Sequence, residues 1–282
     1  MIKVGFIDYY LDEWHANTAP AHLVEQSGGE VKVCYAYGEI PSPKGVTSEQ
    51  WCEKMGVECC ATIAEVIEKS DVLVILAPDN CERKEDLTRE ALASGKPCFV
   101  DKPFGTDLAS AKRMFAIAEA NNTPVYTCSA LRYAKEYADV DRAAVKSLVA
   151  MCPQNSYDNY ILHALEPAMM IMGENAKRAS AVCTEDAFYS VTIEMESGRH
   201  IVISSLNYDS PYMMNVCIPT ANKLIDCEYD FWVYHYKTMV EFFKTGVEPI
   251  THKETLQIAA AREAGKKSMA ACGEWIAVDN NY

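Results

Sequence analysis

Short hydrophobic runs alternate with amphipathic segments through the first half of the chain. The runs, each about the length of one strand, are Ile2–Ile7, Val31–Tyr37, Val72–Ala77, Pro97–Val100 and Val125–Cys128. The segments between them carry a helix-like pattern, and they are Ser48–Met55, Ile63–Ser70, Cys81–Ser94 and Asp107–Asn121. Short apolar strands that alternate with helices predict a parallel sheet with helices on both faces. The first half is therefore predicted to be a doubly wound α/β domain.

The pattern changes after about Ser129. Helices are predicted at Tyr133–Ala150, Tyr157–Gly173, Phe231–Thr245 and Lys253–Cys272. Strands with alternating or apolar character are predicted at Ala187–Met195, His200–Leu206, Met213–Ile218 and Lys223–Tyr229. Runs of strands bracketed by helices predict an α+β domain with a mostly antiparallel sheet. A chain of 282 residues is long enough for two domains, which we place at residues 1–129 and 130–282.

Composition narrows the classes of function. The net charge is −14 and no basic cluster exceeds Lys266-Lys267, which argues against binding to nucleic acid or to an anionic membrane. The apolar runs are far shorter than the ~18–20 residues that span a bilayer, and no export signal is recognised, so we expect a soluble, cytoplasmic protein. The twelve cysteines are scattered without a Cys-x-x-Cys pair, which favours reduced thiols and no metal site.

A lysine flanked by an acid and a proline is the first candidate for chemistry. Lys102 stands between Asp101 and Pro103, directly after the predicted strand Pro97–Val100. Ligands of open α/β sheets bind beyond the carboxyl ends of the strands, where Lys102 and Ser129 are both predicted to lie. A lysine in such a place can donate a hydrogen bond to a substrate oxygen, although a solvated surface lysine is the simpler alternative.

A histidine in the second half is the other candidate. Asn159, His163 and Glu166 are spaced so that they share one helix face. The ordinary pKa of histidine suits proton transfer near neutral pH, so His163 is a candidate general acid or base. The alternative is a polar side chain at a domain interface.

Taken together, these segments resemble the glucose–fructose oxidoreductase / inositol dehydrogenase (Gfo/Idh/MocA) family over most of the chain. The segments that carry the resemblance are Ala77–Asn80, the Asp101-Lys102-Pro103 motif with its Gly-Lys-Pro lead-in, Asn159–Glu166, and Val240–Gly246 with the helix to Cys272. The resemblance implies a Rossmann-like domain followed by an α+β domain with an open-faced sheet. It also implies hydride transfer between a sugar or cyclitol and NAD or NADP.

The resemblance assigns roles by position. It implies that Lys102 holds the substrate oxygen, that His163 is the general acid or base, and that Asn159 stands where the family has an aspartate partner for the histidine. Further substrate contacts implied at these positions are Arg132, Tyr133 and Glu166. Contacts to the cofactor are expected from Ala77, Pro78, Asn80, Asp101, Pro103 and Ser129.

The connection after the first strand departs from the family pattern. A Gly-x-Gly-x-x-Gly turn normally lets backbone N–H groups approach the pyrophosphate, but Asp8, Tyr10 and Glu13 fill the glycine positions here. Acids at this point would repel a phosphate, although they are also suited to cap the following helix. The second strand lacks a ribose-binding acid at its end, with Glu39 as one late substitute. The residues themselves therefore argue against the family's usual dinucleotide binding.

The residues that replace the glycines suggest a ligand of their own. Asp8, Trp14 and His15 combine a carboxylate with rings, as in sites that hold a neutral or cationic polyhydroxylated molecule, and packing of these rings is the alternative. A cofactor-free lyase, isomerase or carbohydrate sensor therefore stands beside the oxidoreductase as a second hypothesis, and a structural subunit is a third. The apolar face of strands Val191–Met195 and Ile201–Ile203 predicts a homodimer or larger assembly.

Overall fold

The computed structural model describes residues 1–227 and 230–282, which form two compact units. The first unit contains residues 1–127 and 233–252, and the second contains residues 128–232 and 253–282. A division at residue 129 would place residues 233–252 in the second domain, whereas they pack within the first unit.

The strands and helices follow one another along the chain much as predicted. In chain order the strands are β1 (Ile2–Asp8), β2 (Val31–Gly38), β3 (Glu58–Cys59), β4 (Val72–Ile75), β5 (Cys98–Val100), β6 (Val125–Tyr126), β7 (Ser147–Pro153), β8 (Ala176–Cys183), β9 (Tyr189–Met195), β10 (His200–Leu206), β11 (Met213–Ile218), β12 (Ala221–Asp226) and β13 (Ile276–Ala277). The helices are α1 (Trp14–Ser27), α2 (Ser48–Met55), α3 (Ile63–Lys69), α4 (Cys81–Leu92), α5 (Leu108–Ala120), α6 (Tyr157–Tyr160), α7 (Leu162–Met172), α8 (Phe231–Thr245) and α9 (His252–Ala270).

A six-stranded parallel sheet forms the centre of the first unit. Its strand order is β3-β2-β1-β4-β5-β6, so the order reverses between β1 and β4. In sheets of this kind, ligands bind beyond the carboxyl ends of the strands at that reversal. The predicted doubly wound domain is confirmed.

Local sequence explains where the helices of this unit begin and end. The carboxylate of Asp107 accepts a hydrogen bond from the backbone N–H of Ser110 at 2.7 Å, which caps α5. Our prediction gave no bounds for α1, whose buried side chains are mostly small and which contains Pro20. A helix with so weak an apolar stripe leaves little periodic signal in the sequence.

The second unit is built on a mostly antiparallel sheet in the order β12-β11-β7-β10-β9-β8-β13. The β7–β10 pair is parallel, and the neighbouring pairs β9–β10 and β8–β9 are antiparallel. The predicted helix Tyr133–Ala150 is wrong, because the chain forms two short 3-10 turns there and then enters β7. Alternate residues of β7 (Leu148, Ala150 and Cys152) are buried, which is the periodicity of a strand. The strand predicted at Lys223–Tyr229 ends outside the described residues.

The apolar face of β9 and β10, which predicted a second copy of the chain, is covered within one chain. Val191, Ile193, Ile201 and Ile203 are fully buried within the single chain, so their apolar face is already covered. α9 is bonded to the neighbouring strand β8, where the Ser268 hydroxyl accepts a hydrogen bond from the backbone N–H of Ala181 at 2.8 Å. The homodimer stays a prediction without that support.

Among the residues that the structure describes, none of the helices is long and apolar enough to cross a bilayer.

Candidate functional site

A buried carboxylate lies at the carboxyl end of β1, next to the reversal of strand order. Asp8 is 1% exposed, and its Oδ1 accepts hydrogen bonds from the backbone N–H groups of Tyr9 at 2.7 Å and Ala77 at 2.8 Å. Ala77 follows β4 and has a φ of 50°. Burial raises the pKa of Asp8 to about 7, against the opposing effect of these two hydrogen bonds. Two of the predicted ligand-binding positions, Asp8 and Ala77, are thus brought into direct contact.

The Asp101-Lys102-Pro103 motif is buried at the end of β5, and the Lys102–Pro103 peptide is cis. Lys102 is 6% exposed, so the surface-lysine alternative is wrong. The motif is tied to the neighbouring strand by Lys84, whose ammonium donates hydrogen bonds to the backbone carbonyls of Leu76 and Asp101, the latter at 3.0 Å. Lys84 therefore positions the backbone immediately before Lys102.

Lys84 itself was not foreseen. It is fully buried on α4, and burial lowers the pKa of its ammonium to about 8. The helix carries charged residues throughout, so nothing in its sequence marks this one lysine as different from its solvated neighbours.

The start of α1 is capped by a carboxyl group of its own chain. Glu13 accepts hydrogen bonds from the backbone N–H groups of His15, at 2.8 Å, and Ala16. The sequence left two roles open for the acids after β1, which were to repel a phosphate or to cap the helix. Helix capping is confirmed for Glu13. Trp14 is 52% exposed and meets the ring of His15 edge-on at 5.0 Å.

A second buried histidine was also missed. His235 of α8 is 4% exposed and meets the ring of Phe99 edge-on at 5.5 Å. Burial lowers the pKa of His235 to about 3 and also lowers the pKa of His15, while the charge of Asp101 opposes both shifts. The carboxyl edge of the first sheet thus gathers carboxyl, ammonium and imidazole groups whose charged forms are disfavoured by burial.

Replacement of Glu13 by glutamine should change how stability depends on pH. Burial raises the pKa of Glu13 to about 9 from its ordinary 4.5, so the folded protein holds this proton between those values while the unfolded chain releases it. The contribution of Glu13 to the free energy of unfolding of the wild type therefore falls as pH rises through this window. The E13Q protein has no carboxyl group at this position and so does not lose stability in this way. The free energy of unfolding of E13Q minus that of the wild type should therefore rise by about 1 kcal/mol per pH unit between pH 5 and 8. Urea denaturation at several pH values measures the difference, and parallel curves for the two proteins would contradict it.

In the second unit, a serine and the predicted catalytic histidine are in hydrogen-bond contact. Ser129 is 1% exposed, and its Oγ lies 2.8 Å from Nδ1 of His163. The rings of Tyr160 and Tyr212 each meet the imidazole edge-on at 5.4 Å. Asn159 is buried in the short helix α6 that precedes α7. Ser129 was predicted as a cofactor contact, and the structure places it against the histidine.

The predicted substrate contacts Arg132 and Glu166 form a buried ion pair. Their atoms Nη1 and Oε1 are 2.8 Å apart, and both side chains are almost inaccessible. Nη2 of Arg132 also pairs with Glu254 at 2.6 Å, and Glu166 accepts a hydrogen bond from the backbone N–H of Ser129. Burial raises the pKa of Glu166 to about 7, opposed by the guanidinium of Arg132. The pair therefore fixes the backbone of Ser129. Glu254, the further partner of Arg132, was not predicted from the sequence.

The remaining predicted contacts are placed as follows. Pro78 and Pro103 are buried, and Tyr133 is half-buried, with the pKa of its hydroxyl raised by burial. Asn80 precedes α4 and donates a hydrogen bond from Nδ2 to Glu82 at 3.0 Å. Within residues 1–227 and 230–282, no cluster of three His, Cys, Asp or Glu side chains is arranged to hold a metal ion.

The residues around β1 and β2 do not fit a dinucleotide in the usual manner. The N–H groups of His15 and Ala16 in the first turn of α1 are bonded to Glu13, and the connection from Asp8 to Glu13 contains no glycine. Glu39, the candidate for binding the ribose, is paired with Arg83 through two hydrogen bonds of 2.7 and 3.1 Å. The strand order fits a dinucleotide-binding domain. However, carboxyl side chains of the chain accept hydrogen bonds from backbone N–H groups of the kind that phosphates would use.

Comparison with known proteins identifies the fold. Residues 22–128 match the family model described as "Oxidoreductase family, NAD-binding Rossmann fold", a match that begins after the β1–α1 connection. No curated protein sequence matches this chain.

Solved structures resemble the whole chain. A "probable dehydrogenase" from Thermotoga maritima superposes with a TM-score of 0.82 at 15% identity, covering 98% of each chain. Myo-inositol 2-dehydrogenase from Lactobacillus plantarum gives a TM-score of 0.79 at 12% identity over 99% of each chain. Scyllo-inositol dehydrogenase from Lactobacillus casei, solved with NAD(H) and scyllo-inositol, gives 0.77 at 12% identity over 98% of each chain.

Proposed function

We propose that this chain, whose residues 22–128 match the model of the Gfo/Idh/MocA oxidoreductase family, oxidises or reduces a sugar, cyclitol or related polyhydroxylated molecule with NAD or NADP. The family description supports a nicotinamide cofactor. The inositol dehydrogenases that share its fold support a polyhydroxylated substrate. The observation that carries the proposal is the contact between Ser129 and His163, because it gives a histidine in the second unit a fixed orientation.

In this account His163 moves the proton of the substrate hydroxyl. Oxidation of a carbinol removes a hydride from carbon and a proton from oxygen, so a base must be ready for the proton. The contact with Ser129 engages Nδ1 and fixes the orientation of the imidazole. Ser129 is in turn held by Glu166, which accepts a hydrogen bond from its backbone N–H.

Lys102 is proposed to hold a substrate oxygen. An ammonium donates hydrogen bonds and stabilises the negative charge that develops on an alcohol oxygen as its proton leaves. Burial strengthens such an interaction because the effective dielectric is lower than in water. The hydrogen bond from Lys84 to the carbonyl of Asp101 supports the role by fixing the preceding residue.

A cofactor-free reaction is the second candidate function, and one observation favours it. The backbone N–H groups of Tyr9, His15, Ala16 and Ala77 are all bonded to carboxyl groups of Asp8 or Glu13. A lyase, an isomerase or a sensor of carbohydrates would need none of these donors for phosphates.

Thermal unfolding with added ligands separates the two candidates. NAD⁺, NADP⁺, myo-inositol and scyllo-inositol would be added singly and in pairs. A ligand at about 100 times its dissociation constant should raise the stability by about 2.7 kcal/mol. The oxidoreductase predicts a shift with a dinucleotide, whereas a shift with a cyclitol and with neither dinucleotide favours the cofactor-free candidate. Failure of both dinucleotides at millimolar concentration would contradict the proposed function.

A further inference from the structure

The first helix of a dinucleotide-binding sheet normally receives a phosphate. Its first N–H groups have no partner within the helix, and they point toward an anion that rests at the helix start. Glycines in the preceding turn let the backbone come close to the pyrophosphate. Two features are therefore needed, namely N–H groups that are open to a ligand and a turn without side chains.

In this chain, N–H groups at the start of α1 are not open to a ligand, because a carboxyl group of the chain itself is bonded to them. The two carboxyl oxygens of Glu13 accept the N–H groups of His15 and Ala16, so both donors are satisfied before any ligand arrives. Asp107, which caps α5 in the same unit, accepts one N–H group, that of Ser110. Glu13 thus occupies two N–H donors of its helix, one through each oxygen.

Backbone N–H groups around the turn that leads to α1 are likewise bonded to a carboxyl group of the chain. Oδ1 of Asp8 accepts the N–H groups of Tyr9 and Ala77, which lie at the ends of β1 and β4, where the strand order reverses. Asp8 itself is 1% exposed. The donors on both sides of the reversal are therefore bonded to carboxyl groups of the chain.

We propose that the Glu13 carboxyl is an internal substitute for the phosphate at the start of α1, so that a dinucleotide binds this chain without the usual contact between its pyrophosphate and that helix. The inference rests on the proposed function insofar as that function requires a dinucleotide. It predicts weak binding of the pyrophosphate portion by the wild type. It also predicts that a shorter cap, which accepts one N–H group where Glu13 accepts two, makes a donor available to a phosphate.

The test replaces Glu13 by serine, a residue that caps helices through a short hydroxyl. ADP-ribose is the probe, because it contains the adenosine and pyrophosphate but no nicotinamide, and calorimetric titration gives its dissociation constant. We expect Glu13→Ser to bind ADP-ribose at least tenfold more tightly than the wild type. The matched control is Asp107→Ser, which removes a capping carboxylate from α5 and should leave the affinity at the wild-type value. Glu13→Asn provides a second neutral cap with the same expected gain.

Equal or weaker binding of ADP-ribose by both Glu13 variants, with circular dichroism showing intact helices, would overturn the inference. Tight binding by the wild type that is lost in the variants would overturn it as well. Because the probe has no nicotinamide, either result leaves the proposed hydride transfer to be judged by its own experiment.

Discussion

Replacement of His163 by alanine is expected to lower kcat for the proposed oxidation by about 10²–10⁴-fold, the usual contribution of a positioned general acid or base. The imidazole is held by the hydroxyl of Ser129 at 2.8 Å, and no other histidine is assigned to this role. Steady-state rates for wild type and variant would be compared over a range of pH. The pH–rate profile of the variant should lack an ionisation that the wild type shows.

His200→Ala is the control, because His200 is an exposed histidine of the same unit and should retain the wild-type rate. Ser129→Ala removes the hydroxyl that orients the imidazole but keeps the imidazole that is proposed to transfer the proton. It should shift the pH profile and reduce the rate less than the loss of the imidazole does. A His163→Ala protein with full activity would remove the histidine from the mechanism.

Replacement of Glu166 by alanine is expected to reduce the free energy of unfolding by about 3–5 kcal/mol, the cost of breaking a buried ion pair from one side. Arg132 would keep Glu254 as a partner but would lose the carboxylate at 2.8 Å. The backbone N–H of Ser129 would lose its acceptor in the same step. Urea denaturation followed by circular dichroism measures the loss.

The surface pair of Glu30 and Lys244 supplies the control. Glu30 is 65% exposed, and an exposed ion pair contributes little to stability, so Glu30→Ala should scarcely change the midpoint. If Glu166→Ala were as mild as Glu30→Ala, the buried network would not be the support of Ser129 that we describe.

Strong local patterns predicted most of the fold. Ser48–Met55, Met213–Ile218 and Phe231–Thr245 are found with the predicted bounds. The errors lie where local pattern is weak or ambiguous. Tyr133–Ala150 has enough alanine and charge to suggest a helix, yet its end pairs with β10 and β11 as strand β7. Pairing between distant strands decided that segment, and a single sequence does not display it.

The candidate site was only partly visible in the sequence. Lys102 and His163 stand in recognisable motifs, so both could be named in advance. Lys84 and His235 could not, because each is a polar residue on a helix whose burial depends on packing against distant strands. Glu13 was visible as an acid near a helix start, but two explanations were open until its hydrogen bonds to His15 and Ala16 were seen.

The account is tested most directly by following deuterium from the substrate. A cyclitol deuterated at its carbinol carbons, such as scyllo-inositol, would be incubated with the protein and NAD⁺ or NADP⁺, and the nicotinamide product analysed by mass spectrometry. We predict that one deuterium appears on the reduced nicotinamide and that His163→Ala transfers it far more slowly. Conversion of the cyclitol without deuterium in the nicotinamide would contradict the account and point to the cofactor-free reaction.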